Sequence, residues 1–145
     1  MVCLRHFKAS DHPLISSRFG LSDEAAKEMI RTWNTCVFGC AYFEMFAVQK
    51  DQTVIGMISL YEHAGSVISI GPEIFEAYRR HGFAKDAMTQ ALEIAGRKGY
   101  RIVLQQVRTN HTASIRLHES LGFEKDCCIY RNEKGNDVYL FLKTL

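Results

Sequence analysis

Tyr78-Arg79-Arg80-His81-Gly82-Phe83-Ala84 joins two unlike stretches of chain, and the fold turns on how they meet. Before it, residues 67–75 (Val-Ile-Ser-Ile-Gly-Pro-Glu-Ile-Phe) are rich in β-branched and aromatic side chains and read as a strand. Gly71-Pro72 interrupts that strand, so a bulge or splay is expected there. After it, Ala84, Ala87, Met88, Ala91, Leu92 and Ala95 follow the spacing of a helical apolar stripe, and Gly99 stands where a helix cap belongs. A strand that turns into a helix leaves the first backbone N–H groups and the positive dipole end of that helix open in the turn. Gly82 permits close backbone approach or a positive φ, Ala84 puts no branched side chain over the first turn, and Arg79, Arg80 and Lys85 add charge. That is the chemistry of an anion seat, with phosphate its usual occupant. The turn is no P-loop, because Gly-x-x-x-x-Gly-Lys-Ser/Thr is absent, and no dinucleotide fingerprint, because the other two glycines are missing. Taken alone, one glycine in a basic loop reads better as an ordinary solvated connection.

Downstream, Ile102 to Val107 reads as a strand and Ala113 to Leu121 as a helix closed by Gly122. Asn110 falls at the strand exit, where its amide can both donate and accept. Ser114 and His118 are four apart and share one helical face, with Leu117 and Leu121 on a neighbouring apolar face. By itself His118 reads as a surface histidine on a short helix.

Upstream, Val2 to Phe7 is a short strand, Ser10 and Asp11 open a helical or turn region, and Leu21 to Trp33 is a helix that Ser22 can cap. Glu44 to Gln49 and Thr53 to Glu62 form an antiparallel hairpin through Lys50-Asp51-Gln52. Asp126 to Asn132 and Asp137 to Thr144 form a terminal hairpin around Glu133-Lys134-Gly135-Asn136. Trp33, Phe38, Tyr42 and Phe43 are expected in the core rather than around an acceptor pocket. Hairpins followed by strand-helix-strand-helix imply an α/β (α+β) fold, a mixed sheet with helices on its faces. No repeat or linker divides the chain, so residues 1–145 are expected to form a single domain.

The chain is 47% apolar and 23% charged, with 18 Lys plus Arg against 16 Asp plus Glu, a net charge of +2. Those totals exclude a disordered tail, a collagen-like rod, a disulfide miniprotein and a protein that coats nucleic acid. Residues 79–101 nevertheless hold six basic and two acidic side chains, so the positive charge is concentrated at the proposed anion seat and its helix. That suits one small phosphorylated ligand. No run approaches the ~20 apolar residues of a membrane span, and Met1 to Ser10 lacks the apolar core of a signal peptide. Five cysteines without such a signal suggest reduced thiols and a cytoplasmic setting. Cys36 and Cys40 are expected as buried small hydrophobes rather than metal ligands, and no metal is expected. Cys127 and Cys128, adjacent on a strand, should point to opposite faces.

Two stretches together resemble the GCN5-related N-acetyltransferase (GNAT) superfamily. Arg79-Arg80-His81-Gly82-Phe83-Ala84 fits its acetyl-CoA signature Arg/Gln-x-x-Gly-x-Gly/Ala. Asn110, Ser114 and Leu117-His118-Glu119-Ser120-Leu121-Gly122-Phe123 fit its second signature, and one helix and one strand separate the two, as that superfamily has them. The resemblance is sharp from Val67 to Phe123 and topological outside. It implies a mixed, mostly antiparallel sheet of six to seven strands with a central splay, flanked by about four helices. It further implies acetyl-CoA as co-substrate, with Arg79 to Ala84 holding the pyrophosphate and Asn110 and Ser114 assisting. Ile74 or its neighbour Phe75 would offer a backbone N–H to the acetyl carbonyl. His118 stands where many relatives carry Tyr and is the expected general acid; Glu73 is the expected base, with Glu62 a second candidate, since Gln105 and Gln106 offer no carboxylate. The acceptor would be a small-molecule or peptide amine, and homodimers are common among relatives. The missing base leaves a non-catalytic CoA-binding module as the alternative.

Overall fold

The structure, a computed structural model, describes residues 1–145. In chain order the elements are β1 (Cys3–His6), α1 (His12–Phe19), α2 (Asp23–Trp33), β2 (Val37–Phe38), β3 (Ala41–Lys50) and β4 (Thr53–Ala64). There follow β5 (Val67–Ile74), α3 (Phe83–Arg97), β6 (Ile102–Arg108), α4 (Thr112–Ser120), β7 (Glu124–Arg131) and β8 (Asp137–Thr144). Short 3-10 turns occur at Ala9–Asp11 and Glu76–Tyr78. The strands lie in the order β1-β3-β4-β5-β6-β8-β7, with β2 attached to β3. Only β5 and β6 run parallel; every other pair is antiparallel. The α/β class, the four helices and the mostly antiparallel sheet agree with expectation. The strands number eight because the two-residue β2 carries too little pattern to read.

Local chemistry explains the boundaries. The Ser22 hydroxyl accepts the Ala25 N–H at 3.1 Å and starts α2. Gly20, at φ 64°, ends α1, so of the two forms expected after Ser10 and Asp11 the helix is the one present, separate from α2. Antiparallel strands bury alternate residues on opposite faces. Phe46, Val48, Ile58 and Leu60 therefore face α3, while Ala47 and Met57 face α1 and α2 with Phe7, Ile15, Ala26 and Ile30. Ala87, Ala91 and Ala95 are fully buried, and their small size lets α3 lie close on the sheet around Met88.

The sheet opens in the middle. β5 keeps to β4 as far as Ile74↔Gly56, and β6 keeps to β8 along its full length. Between β5 and β6, however, only Val67↔Ile102 and Ile68↔Val103 are in register. Pro72 sits in β5, where a central strand would reject it for want of an N–H. It is tolerated because the strand alternation turns that missing donor toward the gap. Gly56 is required opposite Ile74: a Cβ there would lie 2.3 Å from the Glu73 carbonyl oxygen and 3.0 Å from the Ile74 Cα.

The cysteines depart from expectation. Cys40 is exposed and Cys36 only partly buried, because Cys36 ends the turn before β2 and Cys40 lies in the turn after it rather than on a helical face; Cys36 itself has φ 58°. Cys127 and Cys128 are both exposed with sulfurs 3.9 Å apart, because the β7 register breaks between Lys125 and Ile129 and ends the alternation that would separate them. No helix is long and apolar enough to cross a membrane.

Candidate active site

The two parallel strands end on the same side of the sheet, and α3 and α4 start there. Such a crevice at the carboxyl ends of parallel strands is where α/β sheets bind ligands. The Ile70 N–H donates to the Gln105 side-chain oxygen at 2.8 Å, and the Gln105 side-chain nitrogen donates to the Ile70 carbonyl at 2.5 Å. One step earlier, Ser69 Oγ donates to the Leu104 carbonyl. Side chains thus span the gap where the backbones no longer reach. The alternation that aims the Ile70 peptide groups at β6 aims those of Ile74 the same way, into the widening cleft. Arg79 Nε donates to the Ile74 carbonyl at 2.9 Å and ties the turn to the strand end. The next N–H, of Phe75, is taken by the Ile55 carbonyl at 2.9 Å, which leaves Ile74 as the strand's group directed at the cleft.

The turn itself is shaped for an anion. Gly82 is the N-cap of α3 in the left-handed region (φ 79°), and no side chain caps the helix. Arg80 is also left-handed (φ 66°), so the turn into α3 holds two left-handed residues flanking His81. The first intrahelical bond runs from Asp86 N–H to the Gly82 carbonyl at 3.2 Å, which leaves the N–H groups of Phe83, Ala84 and Lys85 without helical acceptors. A Cβ on Gly82 would meet nothing within 4 Å. The glycine is there for its conformation and not to avoid a collision. Asp86 is turned away, accepting the Val2 N–H at 2.7 Å, and neither Arg80 nor Lys85 enters an ion pair. His81 donates from Nδ1 to the Tyr78 carbonyl at 3.3 Å and stacks on Phe83, which rests half-buried on the main core.

Asn110 is exposed in the turn after β6, and Ser114 lies in the first turn of α4. His118 is buried. Its Nδ1–H donates to the Ser114 carbonyl at 2.7 Å, Nε2 stands 3.3 Å from the Gln105 amide nitrogen, and the ring packs on Phe123 and Phe141. A carbonyl only accepts, so the ring proton is on Nδ1 and Nε2 receives the Gln105 N–H. Burial pushes the His118 pKa down, against the Ser114 bond that raises it, and keeps the ring neutral. In this arrangement Nε2 holds no proton to give, which is at odds with the expected acid role.

On the α2 face, the Glu73 carboxylate is held by the Arg18 guanidinium, which also lies over the Phe75 ring at 5.3 Å. Glu62 belongs to the opposite face, where it accepts the Tyr42 N–H at 3.2 Å. Burial and then the bond to Glu62 push the Tyr100 hydroxyl up to about 12. Glu62 thus lies across the sheet from Glu73, engaged by Tyr42 and Tyr100. Nor are the aromatic residues all core: Phe38 is 62% exposed, and Trp33, Phe38 and Phe43 line a pocket of about 510 Å³ with Met29, Val37 and Tyr61. Tyr42 packs against the main core and Trp33 against the second core beside Phe7, as expected of them.

Two features lay beyond the sequence reading. Gln105 bridges the splay, and no spacing rule marks a glutamine for that role. Glu44, buried on β3, is held by the Tyr42 hydroxyl, by His6 Nε2 at 2.5 Å and by Lys98 at 3.6 Å. Burial raises its pKa, but these partners outweigh burial and leave it below the usual carboxylate range.

Comparisons with known proteins agree with this arrangement. A family model described as "Acetyltransferase (GNAT) family" matches residues 11–123. The SPbeta prophage-derived uncharacterized N-acetyltransferase YokL of Bacillus subtilis (strain 168) is 28% identical over 123 residues, covering 83% of this chain and 70% of that protein. The dodecameric spermidine N-acetyltransferase of Vibrio cholerae superposes with a TM-score of 0.81 at 15% identity, over 99% of this chain and 93% of that one. The microcin C7 self-immunity acetyltransferase MccE, solved with acetyl-CoA and AMP, gives 0.80 at 13% identity over 99% and 92%. At these identities the two solved structures establish a shared fold.

Proposed function

This chain belongs to the acetyltransferase (GNAT) family, and we propose that it transfers the acetyl group of acetyl-CoA to a primary amine of a small molecule or peptide by direct attack. One observation carries the reading: β5 parts from β6 after Ile68 and Val103, and the uncapped N-terminus of α3 opens at the same end of the sheet. The open N–H groups at 83–85, with Arg80 and Lys85, suit a pyrophosphate. The cleft between β5 and β6 suits an extended pantetheine arm that pairs with strand backbone, with Asn110 and Ser114 approaching from the α4 side.

Acetyl-CoA supplies an activated acyl carbon. The Ile74 N–H polarises its carbonyl oxygen, an oxyanion-type contribution. The amine nitrogen forms a bond to that carbon, the carbon–sulfur bond breaks, and its electron pair leaves on sulfur. The proton lost from nitrogen ends on the thiolate through solvent. His118 serves as a positioning residue that holds Gln105, and Glu73, engaged by Arg18, ties α1 to β5 at the acceptor side rather than acting as base.

Calorimetric titration with acetyl-CoA, followed by thiol release over an amine panel, tests the reading. Micromolar binding with turnover of some amine is expected. Absence of binding overturns it, and binding without transfer to any amine leaves the CoA-binding module in its place.

A further inference from the structure

The geometry points to the acceptor's chemical class: a small primary amine carried on an uncharged aromatic or branched apolar body, and not a polyamine. This inference deepens the proposed activity and rests on it.

The pocket walled by Met29, Trp33, Val37, Phe38, Phe43 and Tyr61 lies between α2 and the sheet. Its floor leads to the cleft. Phe43 pairs in register with Tyr61, and Tyr61 with Ser69, whose hydroxyl bridges to β6 at the first step of the opening. Alternation puts Ser69, Gly71 and Glu73 on that same face of β5, with Ser59 opposite Gly71. Ser69, Gly71 and Ser59 therefore floor the path from the apolar pocket as far as Glu73, beside Ile74. A volume near 510 Å³ is that of a small-molecule site.

Charge decides the class of body that fits. A polyamine brings further ammonium groups, each needing a carboxylate where water is excluded. Two carboxylates border this path, and each is matched by a cation of this chain, so the path offers no net negative charge to a second ammonium. Glu28 takes the Arg31 guanidinium at 2.5 and 2.9 Å, and Glu73 takes Arg18. What remains is apolar surface, which rewards burial of an uncharged body.

Trp33 is the only tryptophan, so its fluorescence reports on the pocket without cofactor or turnover. The full chain is titrated with 4-phenylbutylamine, and acetyl transfer is measured with 2-phenylethylamine, 4-phenylbutylamine, spermidine and a peptide with an N-terminal serine. A saturable fluorescence change is expected, with kcat/KM at least about tenfold higher for the arylalkylamines than for spermidine or the peptide. Phe38→Ser, at a side chain exposed enough for the fold to survive its loss, should raise the arylalkylamine KM several-fold with a smaller effect on kcat. Spermidine or the peptide turned over as well or better, or no fluorescence change, overturns the inference. Acetyl-CoA calorimetry separates the two failures. If the cofactor binds and the arylalkylamines do not, only the acceptor class falls; if the cofactor fails to bind, the activity itself falls.

Discussion

Gln105 stands in for a missing rung of the sheet, because its side-chain amide exchanges both hydrogen bonds with the Ile70 backbone, at 2.8 and 2.5 Å, where β6 has already moved away from β5. A primary amide has the same donor and acceptor as a peptide group, and both strands keep their outer neighbours. The gap is thereby held at one width. His118 orients the amide from behind, with Nε2 at 3.3 Å.

Gln105→Leu leaves the buried N–H and C=O of Ile70 unpaired. Each such group costs roughly 1–3 kcal/mol, so urea unfolding should show a loss of about 2–6 kcal/mol. Acetyl-CoA affinity should fall with it. A variant as stable as the wild type would mean the bridge contributes nothing.

Gly82→Ala meets no atom, so its cost is conformational: about 1–2 kcal/mol to keep a left-handed backbone. The turn should relax, weakening acetyl-CoA about tenfold by calorimetry while overall stability changes little. Gly82→Glu adds a negative charge beside the pyrophosphate and should abolish binding. Equal affinities for all three proteins would place the phosphate elsewhere.

Gly56→Ala drives a Cβ into the Glu73 carbonyl oxygen, 2.3 Å away, and backbone cannot step aside as a flexible side chain would. Thermal unfolding should reveal a loss of about 1–3 kcal/mol. Because the displaced segment is the one that presents Ile74, kcat should drop further than the stability loss alone explains. An unaltered melting temperature would refute the collision.

His118→Gln probes the buried ring through pH. Burial lowers the folded pKa, whereas the unfolded chain takes up the proton near 6.5. The stability tied to the neutral ring is therefore complete above about 6.5 and is lost as pH falls from there toward the folded value. Between pH 7 and 5 the wild type should lose more stability than the variant in chemical denaturation. Parallel curves would show that His118 is not kept neutral by the fold. A kcat/KM profile whose acid and alkaline limbs persist in the variant would separate positioning from proton transfer.

Much of the fold was legible because its signals are local. The alanine stripe from Ala84 to Ala95, the cap at Ser22, the glycines ending α3 and α4 and the hairpin turns each act within a few residues. The uncapped turn into α3 was legible for the same reason, since a helix start, a glycine and adjacent basic residues sit side by side. The apolar pocket was not. Trp33, Phe38 and Phe43 are aromatic whether they fill a core or line a groove, and only the placement of α2 over β3 and β4 separates the two. The pairing of Glu73 with Arg18, and of Glu44 with His6 and Lys98, likewise joins residues far apart in the chain.

The sequence by itself determined the class of fold, the concentration of positive charge at one helix start and the family resemblance, because strand alternation, helical periodicity and contiguous motifs all act over short separations. Tertiary structure alone decided that Gln105 bridges the splay, that His118 is buried and proton-poor at Nε2, and that a mostly apolar pocket forms between α2 and the sheet. Those properties depend on which residues meet across β5 and β6 and between α2 and the sheet. Such meetings are set by register and packing over long separations, which no local pattern encodes.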